Sequence, residues 1–372
     1  MIDAWTWPAY VAVLLGLSAF LVLFVPILVV ESRQWGQIRL TRLIGAAMVA
    51  VYGVALIAYT LLPFPDADWC ATQPAPGRNL TPFAFLDDIR SQTAGESWRA
   101  TLTSFVFLQV AFNVLLFVPW GALVRRFFGR GVLLATVSGL AVSLLIESTQ
   151  GTGAFGVFGC AYRVADVDDV ITNTAGALLG ALIAPLVLFW LPDTRRIGAS
   201  RAEARPVTRR RRLAGMVIDL GLFILVPFAL TVAHRAVVFY LLGDPLPGDD
   251  TWTGPFAWTA LWLVVGVFLP SVIGSGASLG QRAVWLAPAW SRRRRRHRVG
   301  RMIIGFGAYA TLSTIATAPP LAGTSRGGWI DTASLLVGVV WLGWMLLDTT
   351  ARGGSFRLTG AEVVDARTAA DR

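Results

Sequence analysis

Arg163-Val-Ala-Asp166-Val-Asp168-Asp169-Val-Ile-Thr-Asn173-Thr-Ala-Gly176-Ala-Leu-Leu-Gly180 decides how this chain is read. The stretch begins as a charged loop and runs without a break into a long apolar segment. Asp166, Asp169, Asn173, Gly176 and Gly180 recur at steps of three or four, so in a helix they share one face. Unpaired charge and amide are costly at membrane depth. A polar stripe that enters a span therefore faces other protein or a water-filled site.

The rest of the chain is built for lipid. Of its 372 residues 55% are hydrophobic and 15% charged, and the mean hydropathy is +0.62. Several apolar runs reach the roughly 20 residues that cross a bilayer as a helix. The first 30 residues lack a basic start and carry too long an apolar run for a signal peptide, so they read as a first span. The spans are expected at 7–30, 43–63, 103–124, 132–150, 167–190, 213–238, 257–276, 301–319 and 330–348. The fold class is therefore all-α: a polytopic helical transmembrane protein of about nine spans.

All 32 basic residues are Arg, and the net charge is +10. In a soluble chain that charge would suggest nucleic acid. Here the Arg blocks sit between spans, and the positive-inside rule accounts for them with no nucleic acid. Segments 31–42, 125–131, 191–212 and 277–300 and the tail after 348 hold the Arg excess. With the flanking span ends they carry twenty-six Arg against eight acids, and the opposite side six against fourteen. The expected orientation places the N terminus outside and the C terminus in the cytoplasm, in a multi-pass protein of the bacterial plasma membrane.

An Arg-rich connector, 192–212, divides the chain into a block of five spans (1–191) and one of four (213–348). The tail, 349–372, has no apolar face of useful length and reads as mobile and cytoplasmic. No internal repeat is evident, which disfavours a transporter built from matching halves. Cys70 and Cys160 both fall in expected outside loops, where a disulfide is chemically permitted. Two unrelated thiols are the plain alternative.

Four features of the first block converge on the expected outer side. Tyr59-Thr-Leu-Leu-Pro63 closes the second span, and Asn79-Leu-Thr-Pro-Phe83 lies in the long outer loop. Glu147-Ser-Thr-Gln150 closes the fourth span, and Arg163 to Asn173 opens the fifth. Glu147 follows sixteen residues without a charge, and Arg163 is its best local partner. Asp166, Asp168 and Asp169 could hold a divalent cation, or orient hydroxyls and amines of a lipid-linked substrate. Helix capping accounts for one or two of the three. Asn113, deep in the third span, needs a partner on a neighbouring helix, for which Asn173 is a candidate. Pro119 should loosen the inner half of that span. Gly176 and Gly180 form a small-residue face for close helix approach, within one chain or between chains; the oligomeric state stays open.

These residues resemble the VanZ-like family of bacterial membrane proteins. The resemblance rests on Tyr59–Pro63, Asn79–Phe83, Phe112-Asn-Val-Leu-Leu-Phe-Val-Pro-Trp-Gly121, Glu147–Gln150, and Arg163 to Asp169 with Asn173–Gly176, and it covers about 43–190. The first span lies outside it and reads as accessory. Trp120 stands where Phe is common, and Val164-Ala165 where the family often has a Thr-Phe-like pair; no charged position is lost. The resemblance implies a phenotype, lowered sensitivity to the lipoglycopeptide teicoplanin, and no reaction.

The second block opens with Arg209-Arg-Arg-Arg-Leu-Ala-Gly-Met-Val-Ile-Asp219. Arg212 and Asp219 lie seven apart on roughly one helix face. A glycine-rich loop, Gly274-Ser-Gly-Ala-Ser-Leu-Gly-Gln-Arg282, follows on the same side, and Arg282 could reach back to Asp219. The run Arg292–Arg296, with His297 and Arg298, reads as a topogenic anchor against anionic lipid. The block, about 205–350, resembles the RDD family through Arg212, Asp219 and Ser278-Leu-Gly280-Gln-Arg282. Asp331 and Asp348 are candidates for its third named acid. The order VanZ-like then RDD-like is familiar among actinobacterial membrane proteins.

Three functions follow as expectations. One is a cell-envelope protein whose outer cluster binds or modifies a polar lipid or a polyprenyl- or cell-wall-linked headgroup. Glu147, Asp166 and Asp169 are then the acid–base candidates, and Asn79, Asn113, Gln150, Arg163, Asp168 and Asn173 the substrate-binding ones. No Ser–His or Cys–His nucleophile is apparent, and nothing in the pattern signals a cofactor. The second is ion exchange through Arg212, Asp219 and Arg282. The third is a non-catalytic structural or assembly role.

Overall fold

The computed structural model describes residues 2–66, 68–74, 76–192, 194, 198, 200–243, 253–290, 295–348 and 352–368. The helices that carry the argument are α1 (Ile2–Val22), α2 (Phe24–Trp35), α3 (Leu40–Leu61), α4 (Ala84–Gln92), α5 (Phe105–Arg126), α6 (Val132–Gly151), α7 (Val167–Val187), α8 (Arg209–Ala236), α9 (Gly254–Trp262), α10 (Arg295–Ile304), α11 (Phe306–Ala316) and α12 (Ser325–Leu347). Helices α8 and α9 continue as π-helix through Leu242 and Phe268. Two small two-stranded sheets complete the fold: β1 (Arg78–Asn79) parallel to β2 (Ala165–Asp166), and β3 (Leu286–Ala289) antiparallel to β4 (Glu362–Asp365).

Among the described residues seven helices are long and apolar enough to cross a membrane, and nine spans result if each of two bent pairs is counted as one. The expected first span is one of those pairs. It breaks at Leu23, because the Pro26 ring would collide with the Val22 carbonyl one turn back. The other pair is α10 and α11, bent by 55°. Gly305 between them takes φ −89° and ψ −128°, which interrupts the helix.

The chain folds as two compact units: Met1–Leu23 with Arg39–Gly198, and Phe24–Ile38 with Ala199–Arg372. In the first, α7 lies against α5 backbone to backbone. A Cβ added at Gly176 would stand 2.1 Å from the Val114 carbonyl oxygen, and one at Gly180 1.9 Å from that of Val118. The small-residue face therefore serves α5 of the same chain. Leu56, Phe117, Ile146 and Ala177 form the core where α3, α5, α6 and α7 meet. Helix α5 stays helical through Pro119, and the Tyr52 hydroxyl donates to the Leu116 carbonyl at that turn (2.9 Å).

In the second unit Phe223, Val267, Met302 and Ala310 form the core. The tail departs from the mobile segment expected of it. Gly354–Leu358 is helical, β4 pairs with β3, and the Ala366 amide donates to the Trp285 carbonyl (2.8 Å). Asp365 anchors this return. It accepts from the Arg205 and Arg367 amides and pairs with Arg211 (2.8 Å) and Arg367 (2.7 Å). Burial alone would raise its pKa. The Arg367 and Arg211 side chains and the two amides outweigh burial and hold it well below the usual carboxylate range. Arg195 and Arg196 of the connector and Arg292–Arg294 of the expected anchor lie outside the described residues.

Candidate functional site

The polar residues of the first unit gather at one end, where α3 and α6 finish and α7 begins. The β1–β2 pairing draws the 64–104 loop onto the start of α7, with Asn79 opposite Asp166. A disulfide between Cys70 and Cys160 ties the same loop to the segment before α7.

Asp166 is the N-cap of α7: its Oδ1 accepts from the Asp168 amide (2.8 Å) and from Asn79 Nδ2 (3.0 Å). Asp168, buried, accepts from the Phe83 amide (2.5 Å) and the Phe85 amide (2.9 Å), so it holds the turn into α4. Phe83 itself sits in the left-handed region at φ 64°. Each of these carboxylates replaces water for backbone N–H groups that no helix or sheet could satisfy.

Asp169 differs. Its Oδ1 accepts from Asn113 Nδ2 on α5 (2.5 Å), and Oδ2 has no protein donor among the described residues. Glu147, buried at the end of α6, accepts the Asp166 amide through Oε2 (2.9 Å). Gln150 Nε2 donates to the Thr60 carbonyl (2.6 Å).

Two expected partnerships are replaced by others. Arg163 does not form the ion pair with Glu147: its guanidinium caps the end of α3, donating to the carbonyls of Thr60 (2.9 Å) and Leu62 (3.3 Å). Helix ends leave four carbonyls without partners, and a guanidinium fork fits them. Asn113 does not meet Asn173. Asn173 donates instead to Ser143 Oγ on α6 (2.9 Å), and its buried Oδ1 has no hydrogen-bond partner. Of the two alternatives for the three acids, a divalent cation gains no geometric support. Among the described residues no three His, Cys, Asp or Glu side chains converge as metal ligands; Asp166, Asp168 and Asp169 are each engaged by separate donors.

A cavity of about 300 Å3 opens between α4, the start of α5 and the start of α7. Its polar lining comes from Asn79, Asp88, Gln92, Gln109, Asp166, Asp168, Asp169 and Thr172, and Phe85, Phe105, Val106 and Val110 supply the apolar part. Of the expected site residues, Asn79, Asp166, Asp168 and Asp169 reach this cavity. Glu147 and Asn113 hold Asp166 and Asp169 from behind, and Gln150, Arg163 and Asn173 engage α3 and α6 instead. Asp88, Gln92 and Gln109 were not anticipated. The signal was there: Gln109 and Asn113 are four apart on one face of an apolar helix, as Asp88 and Gln92 are on α4. Among the described residues no basic side chain lines the cavity. Its acceptors suit a ligand that brings hydroxyls or an ammonium.

In the second unit Asp219 is grasped by the short helix Leu279–Ala283. It accepts from the Ser278 hydroxyl (2.6 Å) and the Gly280 amide (2.7 Å). A Cβ at Gly280 would stand 2.0 Å from the Gly215 carbonyl oxygen, which explains the glycine in the Ser278–Arg282 motif. Arg282 does not reach back to Asp219: it donates to the carbonyls of Ala277 (3.1 Å), Pro270 (2.7 Å) and Ile273 (3.2 Å). Asp348 accepts from Arg357 (2.6 Å) and from the Arg352 and Gly353 amides. Asp331 lies near the Ser334 hydroxyl (3.4 Å).

Residues 49–190 match the VanZ/LLP1 family model. That stretch contains the whole polar end and its cavity, so the first unit holds a VanZ-like domain in a membrane protein. No curated protein and no solved structure matches the chain.

Proposed function

We propose that the polar end of the VanZ-like domain binds the hydroxyl- or amine-bearing headgroup of a membrane lipid or a polyprenyl- or cell-wall-linked precursor. Through this binding the protein lowers the sensitivity of the cell envelope to lipoglycopeptides such as teicoplanin. The observation that carries the reading is the acid-lined cavity beside the first turns of α5 and α7, where Asp169 keeps one carboxylate oxygen for a ligand. With the N terminus outside, this end faces the cell wall of a bacterial plasma-membrane protein. Asp169 and Asp88 bind; Glu147 and Asp166 set the backbone of β2. Among the described residues no Ser, Cys or His lines the cavity, which favours binding over covalent hydrolysis.

The test is teicoplanin susceptibility of a sensitive host that expresses the full chain, beside Asp169→Asn and Asp88→Ala at matched membrane levels. Protection by the wild type that both variants lose supports the reading. Equal protection by all three removes the cavity from the mechanism.

A second reading is ion exchange by the RDD-like part (about 205–350). It is favoured by the part-buried Asp219 at the edge of a cavity. Cation flux in vesicles that stops with Asp219→Asn would support it, and undiminished flux would sink it.

A further inference from the structure

The second unit encloses a cavity of about 330 Å3, bounded by α8, α10, α11, α12 and the Arg352–Phe356 segment. Its two ends differ in chemistry. At one end lie Arg212 and Arg301, only 8% and 5% exposed. Both guanidinium groups stack on the Phe356 ring, at 4.8 and 5.0 Å from its centroid. Arg301 gives one nitrogen to the Gly276 carbonyl, and its Nε has no partner. Arg212 Nη1 is also buried without a partner. Asp219, Ser278 and Gln281 add polar groups to the lining, and the walls along the candidate spans are apolar: Leu213, Val217 and Leu220 from α8, and Leu335, Val339 and Leu342 from α12. Leu335 and Val339 are more than half exposed, so the wall runs out onto the apolar surface of a candidate span.

The acids near these Arg residues are already occupied. Asp219 is held by Ser278 and Gly280. Asp348, the acid that acts on Arg212, is held by Arg357 and two amides. Arg352, which also lines the cavity, pairs with Glu362 through one nitrogen (2.8 Å). Arg212 and Arg301 both line the cavity, and a phosphodiester matches the charge and fork geometry of guanidinium groups while acyl chains match the apolar walls.

We propose that this cavity binds one anionic phospholipid, its phosphate between Arg212 and Arg301 and its acyl chains along α8 and α12. The site is separate from the acid-lined cavity and independent of the function proposed for it.

Native mass spectrometry of the full chain in detergent, with equimolar phosphatidylglycerol and phosphatidylcholine of the same acyl chains, tests it. The wild type should retain one phosphatidylglycerol with a preference of about tenfold or more. Arg212→Gln should lose the preference, and the exposed Arg210→Gln should keep it. Gly338→Leu places bulk in the cavity without touching an Arg, and should expel the lipid from a chain that melts like the wild type; it decides the matter if Arg212→Gln does not fold. Equal retention of the two lipids by the wild type, or a preference intact in both cavity variants, overturns the proposal. So does complete displacement by inorganic phosphate, which would mark a phosphate site and no lipid.

Discussion

Both units use buried charge to satisfy irregular backbone, the second adds buried ion pairs at Asp365 and Asp348, and the two end with opposite surpluses. At the polar end of the first, the carboxylates of Asp166, Asp168 and Glu147 accept from backbone amides, and Arg163 donates to backbone carbonyls. In the second, Asp219 accepts from a hydroxyl and an amide, and Arg282 and Arg301 donate to carbonyls. At these positions the charges satisfy irregular backbone, whereas Asp365 and Asp348 of the second unit also meet Arg partners. A buried backbone group without a partner costs about as much as a lost hydrogen bond, and these chain segments lack helical partners. What remains after that satisfaction is acceptors in the first unit, at Asp169 and Asp88, and donors in the second, at Arg212 and Arg301. The surplus, and not the count of charges, indicates what each cavity takes.

The largest expected effect tests whether backbone contact is what positions each surplus. Gly176→Leu would drive a side chain into the Val114 carbonyl and separate α5 from α7. It should cost about 4 kcal/mol or more, read as loss of monodisperse protein in detergent. Gly280→Ala in the second unit should behave likewise, because Gly215 stands as close. Tolerance of either change would show that the helices can part at little cost.

Next is Asp168→Ala, which leaves the Phe83 and Phe85 amides without their acceptor. The loss should be about 3 kcal/mol, confined to the turn before α4. Hydrogen exchange should rise across 79–92 and stay unchanged in α8 to α12. Uniform protection would mean that water replaces the carboxylate without cost.

A smaller effect concerns pH and the tail. The folded pKa of Asp365 lies below its unfolded value of about 3.9. Its contribution is therefore complete above the unfolded value and is lost as pH falls through the folded one. Protection at β4, measured against intrinsic exchange rates, should be flat from neutral pH to about pH 5 and fall in stronger acid. Asp365→Asn should show the reduced protection already at neutral pH. A β4 that loosens near pH 6 would contradict the assignment.

Smallest is Asp88→Ala. Asp88 is exposed, and its side chain makes no hydrogen bond to the fold among the described residues; its carbonyl accepts from Ser91. Its removal should leave the melting temperature within about 2 °C, since isolated surface changes stay near ±0.5 kcal/mol. A large drop in melting temperature would make it a structural residue and weaken the binding reading.

Much of the fold was legible beforehand. Seven of the expected spans correspond to helices whose ends shift by a few residues, because length and apolarity are local properties. The two bent pairs were not legible as breaks, since Pro26 and Gly305 each sit in runs apolar enough to read straight through. The ordered tail was hidden for another reason. Four residues of β4 carry no pattern of their own, and their partner β3 lies far back in the chain. In the candidate site, residue identity was legible and partnership was not: Asp169 stood out, but its donor Asn113 was assigned to Asn173.

The sequence by itself determined a helical membrane chain, a VanZ-like first part, and the face of α7 that carries Asp169, Asn173, Gly176 and Gly180. These follow from apolar run length and from the 3.6-residue period, both of which are local. The tertiary structure alone decided which groups Asp168, Arg163, Asp219 and Arg282 satisfy, and therefore which charges stay free to meet a ligand. Hydrogen-bond partners are chosen by approach in space, between residues up to a hundred positions apart, and a one-dimensional pattern carries no term for that distance.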